Sequence, residues 1–99
     1  MTDNPWLNDE ESYLKYLNTE RKLLAWCLEK HGNYSSGLAR IESEKFYKYQ
    51  TADDPSRGLL FHDEAWHWAM LRIFGDKYWQ KHPELEKPST EYIQFGDLL

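Results

Sequence analysis

Apolar residues recur at helical spacing over residues 8–31. Leu14, Leu17, Leu24 and Leu28 fall along one stripe, widened by Tyr13, Ala25 and Cys27. The ends of this segment agree with its middle. Asn8 stands at the N-cap with Glu11 three residues on, a capping-box spacing, and Asp9, Glu10 and Glu11 place negative charge at the positive end of the helix dipole. Lys30 and His31 occupy the last turn, and Gly32 offers a left-handed stop. At 1.5 Å per residue the predicted rod is roughly 35 Å long, with residues 1–7 as a short lead-in.

A second helical pattern covers residues 63–74. Trp66, Ala69, Met70 and Ile73 follow the i, i+3, i+4, i+7 spacing, and Trp68, Leu71 and Phe74 widen the face until little is left for water. A helix that is apolar nearly all round is usually central to its fold. Gly75 closes it, Asp76 is placed to cap a short helix through "KYWQKH", and Pro83 ends that one. "PELEKP" reads as a connector, after which Ser89 caps a last helix, "TEYIQFGDLL".

Residues 38–50 are ambiguous. Leu38, Ile41, Phe46 and Tyr49 keep an approximate helical face behind a cap at Ser35 or Ser36, yet "KFYKYQ" alternates as well as any strand. The helical reading is favoured. "TADDPSRG" is a turn, because Pro55 restricts Asp54 and Gly58 frees the backbone. The predicted architecture is therefore one all-α domain over residues 1–99, with three or four main helices and the long first helix packed on the tryptophan-rich central one. A small α+β fold is the alternative if residues 38–50 are extended.

Composition bears on whether such a domain folds. A mean hydropathy of −0.87 is low, but five Trp, seven Tyr and four Phe supply large apolar areas that disordered chains lack. Twelve Lys and Arg against seventeen Asp and Glu give a net charge of −5, a field that repels phosphate backbones and suits a basic partner. No apolar run is long enough to cross a bilayer, and "MTDNPW" has no signal-peptide pattern. Cys27 stands alone, so no internal disulfide forms and a reducing cytoplasm is the expected location.

The stretch "HDEAWHW", residues 62–68, poses the chemical question. Glu64 and His67 lie three apart on a helix, the spacing of one half-site in di-iron bundles, and Asp63 joins them on one polar edge. Such bundles need a second Glu-x-x-His pair, and this chain has none. Adding Cys27, His31 and His62 reaches four ligand-type residues, but one Cys-x-x-x-His is not a zinc signature and Cys27 lies beside the apolar stripe. No phosphate loop, nucleophile elbow or metalloprotease helix is present. Neither a catalytic residue, a metal site nor a cofactor is expected.

Aromatic residues mark the remaining candidates. "EKFYKYQ" interleaves Lys45 and Lys48 with Phe46, Tyr47 and Tyr49, a pattern that can hold single-stranded nucleic acid, but its acidic surroundings fit a protein partner better. Tyr78 and Trp79 are neighbours on a short helix and cannot both face inward. Phe46, Tyr47, Tyr49, Tyr78 and Trp79 form the candidate interaction surface. The functional expectation is a non-enzymatic cytoplasmic protein-interaction module, in concrete form an acidic inhibitor or immunity-type protein for a basic partner. Its rival is a small metal-binding protein or enzyme centred on Glu64 and His67.

Overall fold

A computed structural model describes residues 9–99, and every described element is helical. Helix α1 runs Glu10–Gly32, α2 Ser36–Phe46, α3 Ala65–Phe74, α4 Tyr78–Lys81 and α5 Thr90–Asp97, with 3₁₀ turns at Leu59–His62 and Pro83–Leu85. The all-α reading holds. The α+β alternative fails because residues 38–46 are helical and Tyr47–Gln50 pair with no strand among the described residues.

The long helix is present, with both ends shifted from expectation. Asp9 is the cap: its carboxylate accepts from the Glu11 N–H at 3.1 Å and from the Ser12 hydroxyl at 2.6 Å. The expected cap, Asn8, and the lead-in at residues 1–7 lie outside the described residues. At the other end Asn33, not Gly32, takes the left-handed conformation at φ 62°. Gly32 serves a different purpose. A Cβ there would stand 3.0 Å from the Tyr34 ring and 3.1 Å from Ile73, so its lack of a side chain lets α3 and the α1–α2 turn close over it.

The buried stripe of α1 reads Tyr13, Leu17, Glu20, Leu24, Cys27 and Leu28, with Leu23 beside it. Leu14, expected inside, is 40% exposed, and a glutamate occupies the core face in the middle of the rod. Helix α2 packs on α1 through Ala39 and Ser43, one turn apart. Small side chains let the two helices approach, and the Ser43 hydroxyl is satisfied by donating to the Arg40 carbonyl. Leu38 and Ile41, expected on the inner face, consequently point outward.

Helix α3 also packs on α1 and is central, as its pattern requires. It begins at Ala65, with Glu64 at the cap position, and buries Ala65, Trp66, Ala69 and Met70. Each tryptophan of the helix also places its indole N–H. Trp66 donates to the Leu85 carbonyl at 2.9 Å and Trp68 to the Leu60 carbonyl at 3.0 Å, so both rings bury area without stranding a polar atom. Arg72 binds Glu42 and the Tyr34 hydroxyl, tying α3 to α2 and to the turn before it. The cap of α4 is Lys77 in the left-handed region rather than Asp76. Ser89 caps α5 as expected, accepting from the Tyr92 N–H at 3.1 Å.

The turn at residues 51–58 is built on buried Arg57. Its guanidinium lies 3.9 Å from the centre of the Tyr13 ring and donates to Glu10 Oε1 at 2.8 Å. Tyr49 donates to the other oxygen of Glu10 at 2.6 Å. With the phenol first and the guanidinium second, these partners hold the Glu10 carboxyl below the usual carboxylate range. Gln50 completes the loop, accepting from the Gly58 N–H and donating to the Ser56 carbonyl.

Candidate functional site

The residues of the polar edge converge where the chain enters α3. The 3₁₀ turn delivers His62, the extended Asp63 redirects the backbone, and Glu64 starts the helix. Together with His67, Tyr78 and Glu86 they border an open cleft of about 370 Å³, with Trp66 in its wall. Sequence alone placed Asp63, Glu64 and His67 together, and the structure does the same. It adds Tyr78 from α4 and Glu86 from the connector, neither of which periodicity within α3 could supply.

His67 is more than a decoration of this edge. Its ring is half-buried, with the rings of Trp68, Tyr78 and Trp79 around it at centroid distances of 5.3, 5.8 and 6.4 Å. Its Nδ1 lies 3.0 Å from Tyr78 Oη, and the tautomer of the imidazole sets which atom donates. Burial, followed by the charges of Asp63, Glu86 and Glu64, pushes the Tyr78 phenol above its ordinary pKa. The three carboxylates thus act on one hydroxyl. None of them has a Lys, Arg or His ion partner among the described residues.

The candidate interaction surface divides. Tyr47 and Tyr78 are 1% and 2% exposed and belong to the core, so the surface loses both. Tyr47 turns inward because α2 ends at Phe46: the chain leaves the helix there, and Arg21 holds the Tyr47 carbonyl with two bonds of 2.9 and 2.6 Å. Phe46 is half-buried against Trp68, at 5.5 Å between centroids. Tyr49 and Trp79 remain exposed. Two of the three rings of the lysine–aromatic stretch are therefore committed to packing.

The metal and thiol candidates separate in space. Among the described residues no group of three His, Cys, Asp or Glu side chains is arranged to hold an ion. Cys27 is fully buried, and its surroundings push the thiol up to about 12, which keeps it protonated and unreactive. His31 instead packs edge-on against Trp66 at 5.1 Å and Trp26 at 6.2 Å.

One unusual group escaped the sequence reading. Glu20 is 8% exposed on the inner face of α1, and burial, then the charge of Glu64, raises its carboxyl to about 7. The Ala65 backbone N–H at the start of α3 works in the opposite sense. Tyr16, Tyr47 and Tyr92 all feel its charge. Tyr47 Oη, buried in the same region, has no hydrogen-bond partner among the described residues. The signal was present: Glu20 follows Tyr13 by seven residues and precedes Cys27 by seven, which puts all three on one face.

No family model, no curated protein and no solved structure matches this chain. No helix among the described residues is long and apolar enough to cross a membrane.

Proposed function

We propose that this chain is a non-enzymatic protein-interaction module for a basic partner, and that the cleft at the start of α3 receives one of the partner's cationic side chains. The supporting observation is the gathering of Asp63, Glu64 and Glu86 on a cleft walled by Trp66 and Tyr78, with no cation of the described residues paired to them. A guanidinium entering there meets carboxylates for paired hydrogen bonds. The net charge of −5 would steer such a partner toward the cleft. An acidic inhibitor or immunity-type protein acting on a basic enzyme in the cytoplasm is the concrete form of this reading, and the single buried thiol suits a reducing compartment.

Titration of labelled protein with a short arginine-rich peptide tests the proposal. Amide shifts should concentrate at residues 62–67 and 86, with the Trp66 indole N–H moving among them. Binding should weaken as salt rises and be lost in the triple variant Asp63→Asn, Glu64→Gln, Glu86→Gln. Shifts scattered over the surface, or an affinity unchanged in the triple variant, would remove the cleft from consideration.

A further inference from the structure

We propose that Glu20 is a proton-operated latch: neutral, it packs in the joint of α1, α3 and α5, and once ionised it opens that joint by releasing α5. The geometry begins with a carboxyl on the buried stripe of α1 with no cation paired to it among the described residues. The groups facing it come from every neighbouring element. They are Tyr16 on α1, Tyr47 after α2, Glu64 with the Ala65 N–H at the start of α3, and Tyr92 on α5. All three phenols are held above their ordinary pKa and stay neutral through the physiological range, so among the described residues the charge set against Glu20 is that of Glu64, which has the same sign.

A protonated carboxyl is the species such a joint accommodates. Deprotonation leaves a buried anion beside another anion, offset in part by the Ala65 N–H. The charge is relieved by water, and the route that disrupts least is through α5. That helix is two turns long and buries Tyr92 alone, whereas α1, α3 and Tyr47 after α2 carry the rest of the core around Glu20. Local opening follows the least-buried element rather than global unfolding.

The experiment needs no partner, and its outcome is independent of the cleft proposal. Side-chain ¹³C titration of the intact protein should place the Glu20 midpoint near 7. Native-state hydrogen exchange, corrected for intrinsic rates, should show opening of α5 increasing about 25-fold between pH 5.5 and 8 if the carboxyl titrates normally once hydrated. In Glu20→Gln the acceleration should vanish while α1 and α3 stay protected. Should that variant fail to fold, the wild-type protein still decides, because the exchange midpoint must coincide with the carboxyl midpoint. A Glu20 midpoint in the ordinary carboxylate range, or α5 exchange with no excess pH dependence, overturns the latch.

Discussion

His67 Nδ1 and Tyr78 Oη meet at 3.0 Å, a bond that fastens the central helix to the one-turn helix following it. A four-residue helix such as α4 has almost no stability of its own, since one turn fixes several dihedrals for a single bond. Its position depends on the burial of Tyr78 and on this contact.

Removing either partner should therefore loosen α4. His67→Ala is expected to cost about 1–2 kcal/mol, because a half-buried ring is lost and the Tyr78 hydroxyl is stranded. Tyr78→Phe should cost about 1 kcal/mol. Denaturant unfolding of both single variants and the double variant gives the coupling, expected near 1 kcal/mol. Additive losses would show that the two residues stabilise α4 independently.

Trp66→Ala should be among the most damaging single changes, at roughly 3–5 kcal/mol, since it empties the centre of α3 and deprives the Leu85 carbonyl of its donor. Trp66→Phe separates the two losses. It refills most of the volume and leaves the carbonyl unpaired, so about 1–2 kcal/mol is expected from urea unfolding.

Stability should fall as pH rises through the titration range of Glu20. Its folded carboxyl is raised to about 7 from an ordinary 4.5, so the folded state holds more protons than the unfolded state in that interval. The contribution is complete below 4.5, declines to about 7 and is flat above. From the size of the shift, its full extent is about 3 kcal/mol. Glu20→Leu should accordingly gain more stability at pH 8 than at pH 5, measured by thermal unfolding across the interval. Equal effects at both pH values would contradict this.

The Cys27 thiol should resist alkylation in the native protein and react on unfolding. At pH 8 iodoacetamide labelling is expected to be on the order of 10³-fold slower than in denaturant, limited by opening of the core. Rapid native labelling would place the thiol nearer to solvent than its full burial allows.

Periodicity revealed both long helical segments, because burial on one face leaves a repeat in the sequence. It identified Trp66, Ala69 and Met70 as the inner face of α3. It misread α2, where the inner face consists of Ala39 and Ser43 and the larger Leu38 and Ile41 lie outside. Hydropathy ranks side chains by size and polarity, whereas a close helix crossing selects small ones. The same limit hid Glu20 and Arg57, buried ionisable residues whose surroundings are assembled from segments far apart in the chain. Asp63, Glu64 and His67 were legible as a group because they share one helical end. Glu86 was not, since only the tertiary fold brings the connector to it.

Glu10 and Arg57 are 47 residues apart, and their pairing has a consequence for synthesis. As the chain leaves the ribosome, α1 emerges well before the guanidinium that clasps its first turn. Until residue 57 appears, that turn lacks its buried guanidinium, and Tyr13 has no cation over its ring. The start of the longest helix is thus fixed only after the rest of that helix and α2 have been made.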